Sequence, residues 1–239
     1  MNTDTSAPVA VTPGVGVDRL FGTGAHFAQV KSRRHPSMKP YVVGNKSKVE
    51  IFDLAKTDAQ IGKAKQVMAA LARDGKTILF VGGKREVSDQ VREAAKRINQ
   101  PYVASRWLGG TISNFTEIKK RIDRLADLSS KRDSGELSKI YTKLERLYID
   151  REITRLEDRL GGIKELSKRP DAMIIVDTKH DAHAAKEAKQ AGIPVIGIMS
   201  SDCDLTDAQF PIVTNDASRA TVELILSELA AAFEEGRKA

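Results

Sequence analysis

The sequence has one cysteine, one tryptophan and four histidines in 239 residues, and it has no long apolar run. A single cysteine excludes a disulfide framework within the chain and makes a reducing compartment, the cytoplasm, the default. No run approaches the ~18 apolar residues of a membrane span, so no membrane role is expected. Residues 1–17 lack a basic start, contain Pro8 and Pro13, and do not read as a secretory signal. Catalytic patterns are missing as well. Cys203 lies between Asp202 and Asp204, whose charges disfavour a thiolate. His26 and His35 have no adjacent serine or carboxylate from which a triad would assemble. Neither GxGxxG nor a P-loop occurs. These absences point away from an enzyme and from a resident cofactor.

What is present is a balanced globular composition with an uneven charge. Residues 1–169 hold 33 basic and 20 acidic groups, whereas residues 170–239 hold 6 and 12, so the net +7 is the remainder of two opposed parts. Such asymmetry suggests a polyanionic partner for the first part. Lys31 to Lys48 alone contains six basic residues and no acidic one.

The apolar pattern predicts an α/β fold. Residues 1–17 read as a flexible arm, with a short helix from Val17 to Phe21 and an irregular stretch from Gly22 to Gly44. Val49–Leu54, Thr77–Val81 and Pro101–Val103 read as strands separated by helices, with Thr57 or Asp58 capping the first. From Asn114 to Leu166 the period is helical throughout. Phe115, Ile118, Ile122, Leu125 and Leu128 face Ile140, Leu144 and Leu147, then Ile149, Ile153, Leu156 and Leu160, across a turn at Lys131–Leu137. Strands resume at Ala172–Val176, Ile193–Met199 and Phe210–Val213, and an amphipathic helix closes the chain. The expectation is a parallel sheet of about five strands flanked by helices, flavodoxin- or Rossmann-like, with an inserted, projecting antiparallel helical hairpin. The α/β part would be residues 18–112 and 170–239, and the hairpin domain residues 113–169.

Three groups of residues carry possible chemistry. Gly82-Gly83-Lys84, after a strand and before a helix, could cradle a phosphate, which keeps a nucleotide-binding α/β enzyme as the alternative function; a tight turn presenting Lys84 and Arg85 is the plainer reading. His180 and His183, three apart at a helix start, form a weak metal pair, with Asp181 serving equally as a cap. The basic segments suit RNA: Lys31, Arg33, Arg34, Lys39, Lys46 and Lys48 with His35 and Tyr41 interleaved, Arg106 beside Trp107, and Lys119, Lys120 and Arg121 after a helix opened by Ser113 or Asn114. Trp107 is read as a hinge-packing aromatic in preference to a base-stacking one.

These residues resemble the bacterial small-subunit ribosomal protein S-two family. Gly24-Ala25-His26-Phe27 resembles its opening signature. Arg106-Trp107-Leu108-Gly109-Gly110, Asn114-Phe115, Leu160-Gly161-Gly162-Ile163-Lys164, Lys186-Glu187-Ala188 and Asn215-Asp216 follow in order. The chain departs from the pattern at Ser37, Ser200, Leu205, Thr214 and Ala217. The resemblance implies a structural constituent of the small subunit, without catalytic residues, that binds 16S rRNA at the head–body junction, helps dock the mRNA-binding protein S-one, and does not form homo-oligomers. It implies RNA-facing roles for Lys31, Arg33, Arg34, His35, Lys39, Lys46, Lys48, Lys84, Arg85, Arg106, Asn114, Lys119, Lys120 and Arg121. The acidic C-terminal third would face solvent or a protein neighbour.

Overall fold

The computed structural model describes residues 14–238. Most of the expected N-terminal arm lies outside them. The arm's end is pinned: Val15 is buried, and the N–H groups of Val15 and Gly16 donate to Asp58 Oδ1 at 2.6 and 2.8 Å.

The body is one five-stranded parallel sheet in the order β5-β4-β6-β7-β8, built from β4 (Ile78–Val81), β5 (Tyr102–Val103), β6 (Ala172–Val176), β7 (Val195–Met199) and β8 (Phe210–Val213). Its central strands are apolar without alternation because both faces are covered. Ile78 and Phe80 of β4, with Ala172, Ile174 and Val176 of β6, pack on one side against α2 (Leu54–Arg73), α3 (Ser88–Arg97) and α8 (Arg219–Lys238). Leu79, Val81, Met173 and Ile175 pack on the other, against α7 (Ala182–Gln190), Trp107, Met38 and the base of the hairpin.

Val49–Phe52 (β3) is a strand, but not of this sheet. It pairs antiparallel with β1 (Phe27–Val30) and β2 (Val42–Lys46) in a separate three-stranded sheet. Both partners fall in or beside the stretch expected to be irregular; each is short, and register shifts break its alternation. The following helix starts earlier than expected. Asp53 caps it by accepting from the Ala55 and Lys56 N–H groups, while the Thr57 hydroxyl donates to the Val213 carbonyl at 2.6 Å.

The helical insertion consists of α4 (Phe115–Asp133), a short α5 (Glu136–Ile140) and α6 (Lys143–Leu160). Thr142 and Glu145 form a reciprocal capping box at the start of α6. Ile118, Ile122, Leu125, Ile153 and Leu160 form a buried seam, but Ile140, Leu144 and Leu147 are exposed. The reason is positional: α4 offers no apolar side chain after Leu128, and Arg132, Gly135 and Leu137 leave an open groove beside Leu144 and Leu147. At the base, Gly162 is required by close approach, since a Cβ there would collide with the Tyr102 carbonyl.

Candidate nucleic-acid interface

In an open parallel sheet, ligands bind beyond the carboxyl ends of the strands where the connection direction reverses. Here that point lies between β4 and β6, and it is filled by the protein itself. The Asp181 carboxylate accepts the Gly83 N–H at 2.8 Å instead of capping α7, and a Cβ at Gly83 would meet the same carboxylate. Lys84 is half-buried, paired with Asp177 and, at 3.2 Å, with Asp216. Gly83 therefore allows close approach of an internal carboxylate, in the place where a phosphate-binding loop would receive its ligand. Lys84, expected to face RNA, is tied inside the fold.

This cluster also answers the metal question. His180 and His183 are exposed, and His180 Nδ1 lies 3.5 Å from Asp181 Oδ2. The His/Cys/Asp/Glu group that does converge among the described residues is Asp177, Cys203 and Asp216, with ligand atoms within 4.8 Å of one another. The cation it holds is the Lys84 ammonium. Burial works against the charge of Asp177, but Lys84 and the His180 N–H outweigh it and keep its pKa low. Asp216 is more deeply buried, and its Oδ2 has no donor among the described residues. Burial and the neighbouring Asp177 push its pKa up to about 7. Burial first, then Asp177 and Asp216, push the Cys203 thiol up to about 12. These groups, not the sequence neighbours Asp202 and Asp204, are what keep it an inert thiol.

The Arg106–Gly110 turn is organised by Glu187. Its carboxylate accepts from Trp107 Nε1 at 3.2 Å and from the N–H groups of Gly110, Ile112 and Ser113 at 2.8, 3.0 and 3.2 Å. Burial opposes the charge, yet these donors hold its pKa below the usual range. Trp107 is buried in the second core, as a hinge-packing aromatic should be, while Arg106 stands exposed beside it.

The basic loop divides in the same way. Arg34 pairs with buried Glu50 at 2.7 Å and is a structural residue. His35 is tethered through its N–H to the Ser201 carbonyl at 2.8 Å, and through Nδ1 to Ser37 Oγ at 2.8 Å. The departure at Ser37 thus has a role: its hydroxyl also accepts the Leu205 N–H. Lys31, Arg33, Lys39, Lys46 and Lys48 are exposed and have no ion pair among the described residues. Arg85, Arg106, Lys119 and Arg121 are likewise exposed without an ion pair, Asn114 is exposed at the start of α4, and Lys120 pairs with Glu117 at 2.6 Å on the surface. Met38, Trp107 and Ile118 belong to one core cluster. Their exposed sequence neighbours Lys39, Arg106 and Lys119 are therefore anchored around one face of the sheet.

Residues 20–236 match the family described as Ribosomal protein S2. The chain belongs to the ribosomal protein S2 family. The S2 family is structural and not enzymatic. Among its relatives, a small ribosomal subunit protein uS2 from Clavibacter michiganensis is 40% identical over 222 residues, covering 93% of this chain and 70% of the relative. The uS2 proteins of Pseudarthrobacter chlorophenolicus and Coprothermobacter proteolyticus are 38% and 36% identical over 224 residues, covering 94% of this chain and 77% and 83% of theirs. Glu187 lies in the Lys186-Glu187-Ala188 stretch that carries the resemblance, but its role in the turn is visible only once Trp107 and Gly110 are placed around it. No helix among the described residues is long and apolar enough to cross a membrane.

Proposed function

We propose that this chain is a structural constituent of the small ribosomal subunit that binds 16S rRNA at the junction of head and body and helps dock protein S-one. The observation that supports the rRNA reading is the set of basic residues exposed without an ion pair among the described residues, Lys31, Arg33, Lys39, Arg106 and Lys119, of which Lys39, Arg106 and Lys119 stand next to buried residues of the second core. Unpaired lysine and arginine on a rigid base contact phosphate and fix position, while shape is read in place of base sequence. Docking of S-one rests on the family resemblance. The apolar side chains exposed at the far end of the hairpin, Ile140, Tyr141, Leu144, Leu147 and Tyr148, are a surface that a protein neighbour could cover.

The test is reassociation. Small subunits stripped of their S2-family protein should take up the purified chain stoichiometrically and then retain added S-one. Failure to cosediment at low salt would overturn the ribosomal reading, and uptake without S-one retention would overturn the docking part alone.

A further inference from the structure

The far end of the hairpin carries a second apolar seam. Ile153 and Leu160 of α6 are buried, but Leu144, Leu147 and Tyr148 are 60%, 45% and 58% exposed. These three recur at steps of three and four, the spacing of a coiled-coil contact. Ile140 and Tyr141, 64% and 40% exposed, extend the patch. Leu144 and Leu147 border a groove of about 690 Å³, which buried Leu137 also lines. Exposed apolar side chains gathered on one face mark a contact surface.

The charges around this patch are mixed. Residues 131–151 hold six basic and four acidic groups, unlike the 31–48 loop, which has no acidic one. Lys131 pairs with Asp127 at 2.8 Å and Arg132 with Asp133 at 3.0 Å, while the Glu145 carboxylate accepts from Thr142 in the capping box. Lys139, Lys143, Arg146 and Arg151, and the acidic Glu136 and Asp150, have no ion pair among the described residues. Lys143, Arg146 and Asp150 line the groove itself. Arg146 Nε is buried without a hydrogen-bond partner among the described residues. A polyanion would meet Glu136 and Asp150 here, so the patch does not suit RNA.

We propose that this face docks a second copy of the chain, α6 against α6 and antiparallel, when the protein is free of the ribosome. The proposal goes beyond the ribosomal reading and departs from the absence of homo-oligomers that the family resemblance implies. The occupant follows from charge complementarity. Lys143 and Asp150 lie two helical turns apart, so both stand on the same flank of the Leu144–Leu147 seam. When two copies of one helix pack antiparallel about a twofold axis, like flanks meet. An axis level with Arg146 and Leu147 sets each Lys143 against the partner's Asp150, and brings the leucines of both copies together between these pairs. Arg146 adds a second cation on that flank. The face thus supplies its own complement in both charge and apolar contact.

The experiment is sedimentation equilibrium of the full chain, freed of RNA by nuclease and high salt, from low to high micromolar concentration. The mass should rise toward that of a dimer. Leu144→Ser combined with Leu147→Ser should weaken association at least about tenfold. Lys143→Glu and Asp150→Lys should each weaken it about tenfold, since each sets like charges face to face. Mixed in equal amounts, these two variants should associate as tightly as the unaltered chain, because every facing pair is then of opposite charge. Unchanged helical circular dichroism certifies that each variant is folded. A chain that is monomeric throughout the range, a dimer that keeps its strength without the two leucines, or charge variants that do not rescue each other would overturn the proposal. A dimer that forms only with RNA present would overturn it too and assign the face to RNA. A monomer whose position 148, replaced by photocrosslinking p-benzoylphenylalanine, joins a different protein in assembled subunits would assign the face to that protein. Uptake of the chain by stripped small subunits is a separate readout, so failure of the dimer leaves the ribosomal reading standing.

Discussion

Lys84 and Lys39 are chemically the same residue in opposite situations. Lys39 stands in solvent without a partner, whereas Lys84 is enclosed by Asp177 and Asp216 at the ends of three strands. Removing one member of a buried ion cluster leaves the rest uncompensated. Lys84→Met should therefore destabilise the body by roughly 3 kcal/mol at neutral pH. The sign with pH follows from the carboxyls. Asp216, raised to about 7, already costs stability as pH climbs from its ordinary value of 3.8, and Asp177, held low, contributes stability that is lost as pH falls through its lowered value. Without Lys84 both would rise, so the loss should be much larger at pH 8 than at pH 5. Denaturant unfolding at those two values checks this, and equal losses would refute it. None of it was legible locally. Lys84 follows two glycines in a turn, which reads as exposed; its partners lie more than ninety residues away. Arg34 misled for the same reason, since nothing in a basic run marks the one member that pairs with Glu50.

At the scale of elements, the helical hairpin is legible because its apolar residues keep a helical period on both sides of the turn, although the second arm breaks at Tyr141–Thr142 between α5 and α6. What the period does not reveal is where the facing helix runs out. The seam is real at Ile118, Ile122, Leu125, Ile153 and Leu160 and absent at Leu144 and Leu147. Leu125→Ala should thus cost about 3 kcal/mol within the insertion, whereas Leu144→Ser should change stability by less than about 0.5 kcal/mol. Hydrogen exchange separates the two: Leu125→Ala should lower protection in residues 115–160 and leave the parallel strands unchanged. Matching effects of both substitutions would contradict the seam. The antiparallel sheet was the element least legible in advance. β1 and β2 are short and bulged, so neither shows the strict alternation that marks a strand, and from sequence alone β3 reads as a strand of the parallel sheet. The parallel strands themselves stood out as continuous apolar runs because both of their faces are buried.

At the scale of the molecule, the division between a basic and an acidic part takes a different form from the one the sequence suggests. The carboxylates of the C-terminal third do not simply face outward. Asp171 pairs with Lys76, Asp177 and Asp216 with Lys84, Glu228 with Lys65 and Arg19, and Glu234 with Arg97. The acidic part thus neutralises the basic residues that sit over the sheet, and the excess positive charge remains on the 31–48 loop, the Arg106 turn and the first arm of the hairpin. The central claim is that this unpaired set, and not the paired lysines, contacts RNA. The slope of log K against log salt for binding of the full chain to 16S rRNA tests it most directly. Changing Lys39, Arg106 and Lys119 together to glutamine should lower that slope by about three, while Lys84→Met, though less stable, should leave it unchanged. A triple variant with the wild-type slope, or a Lys84→Met protein with a reduced one, would contradict the account.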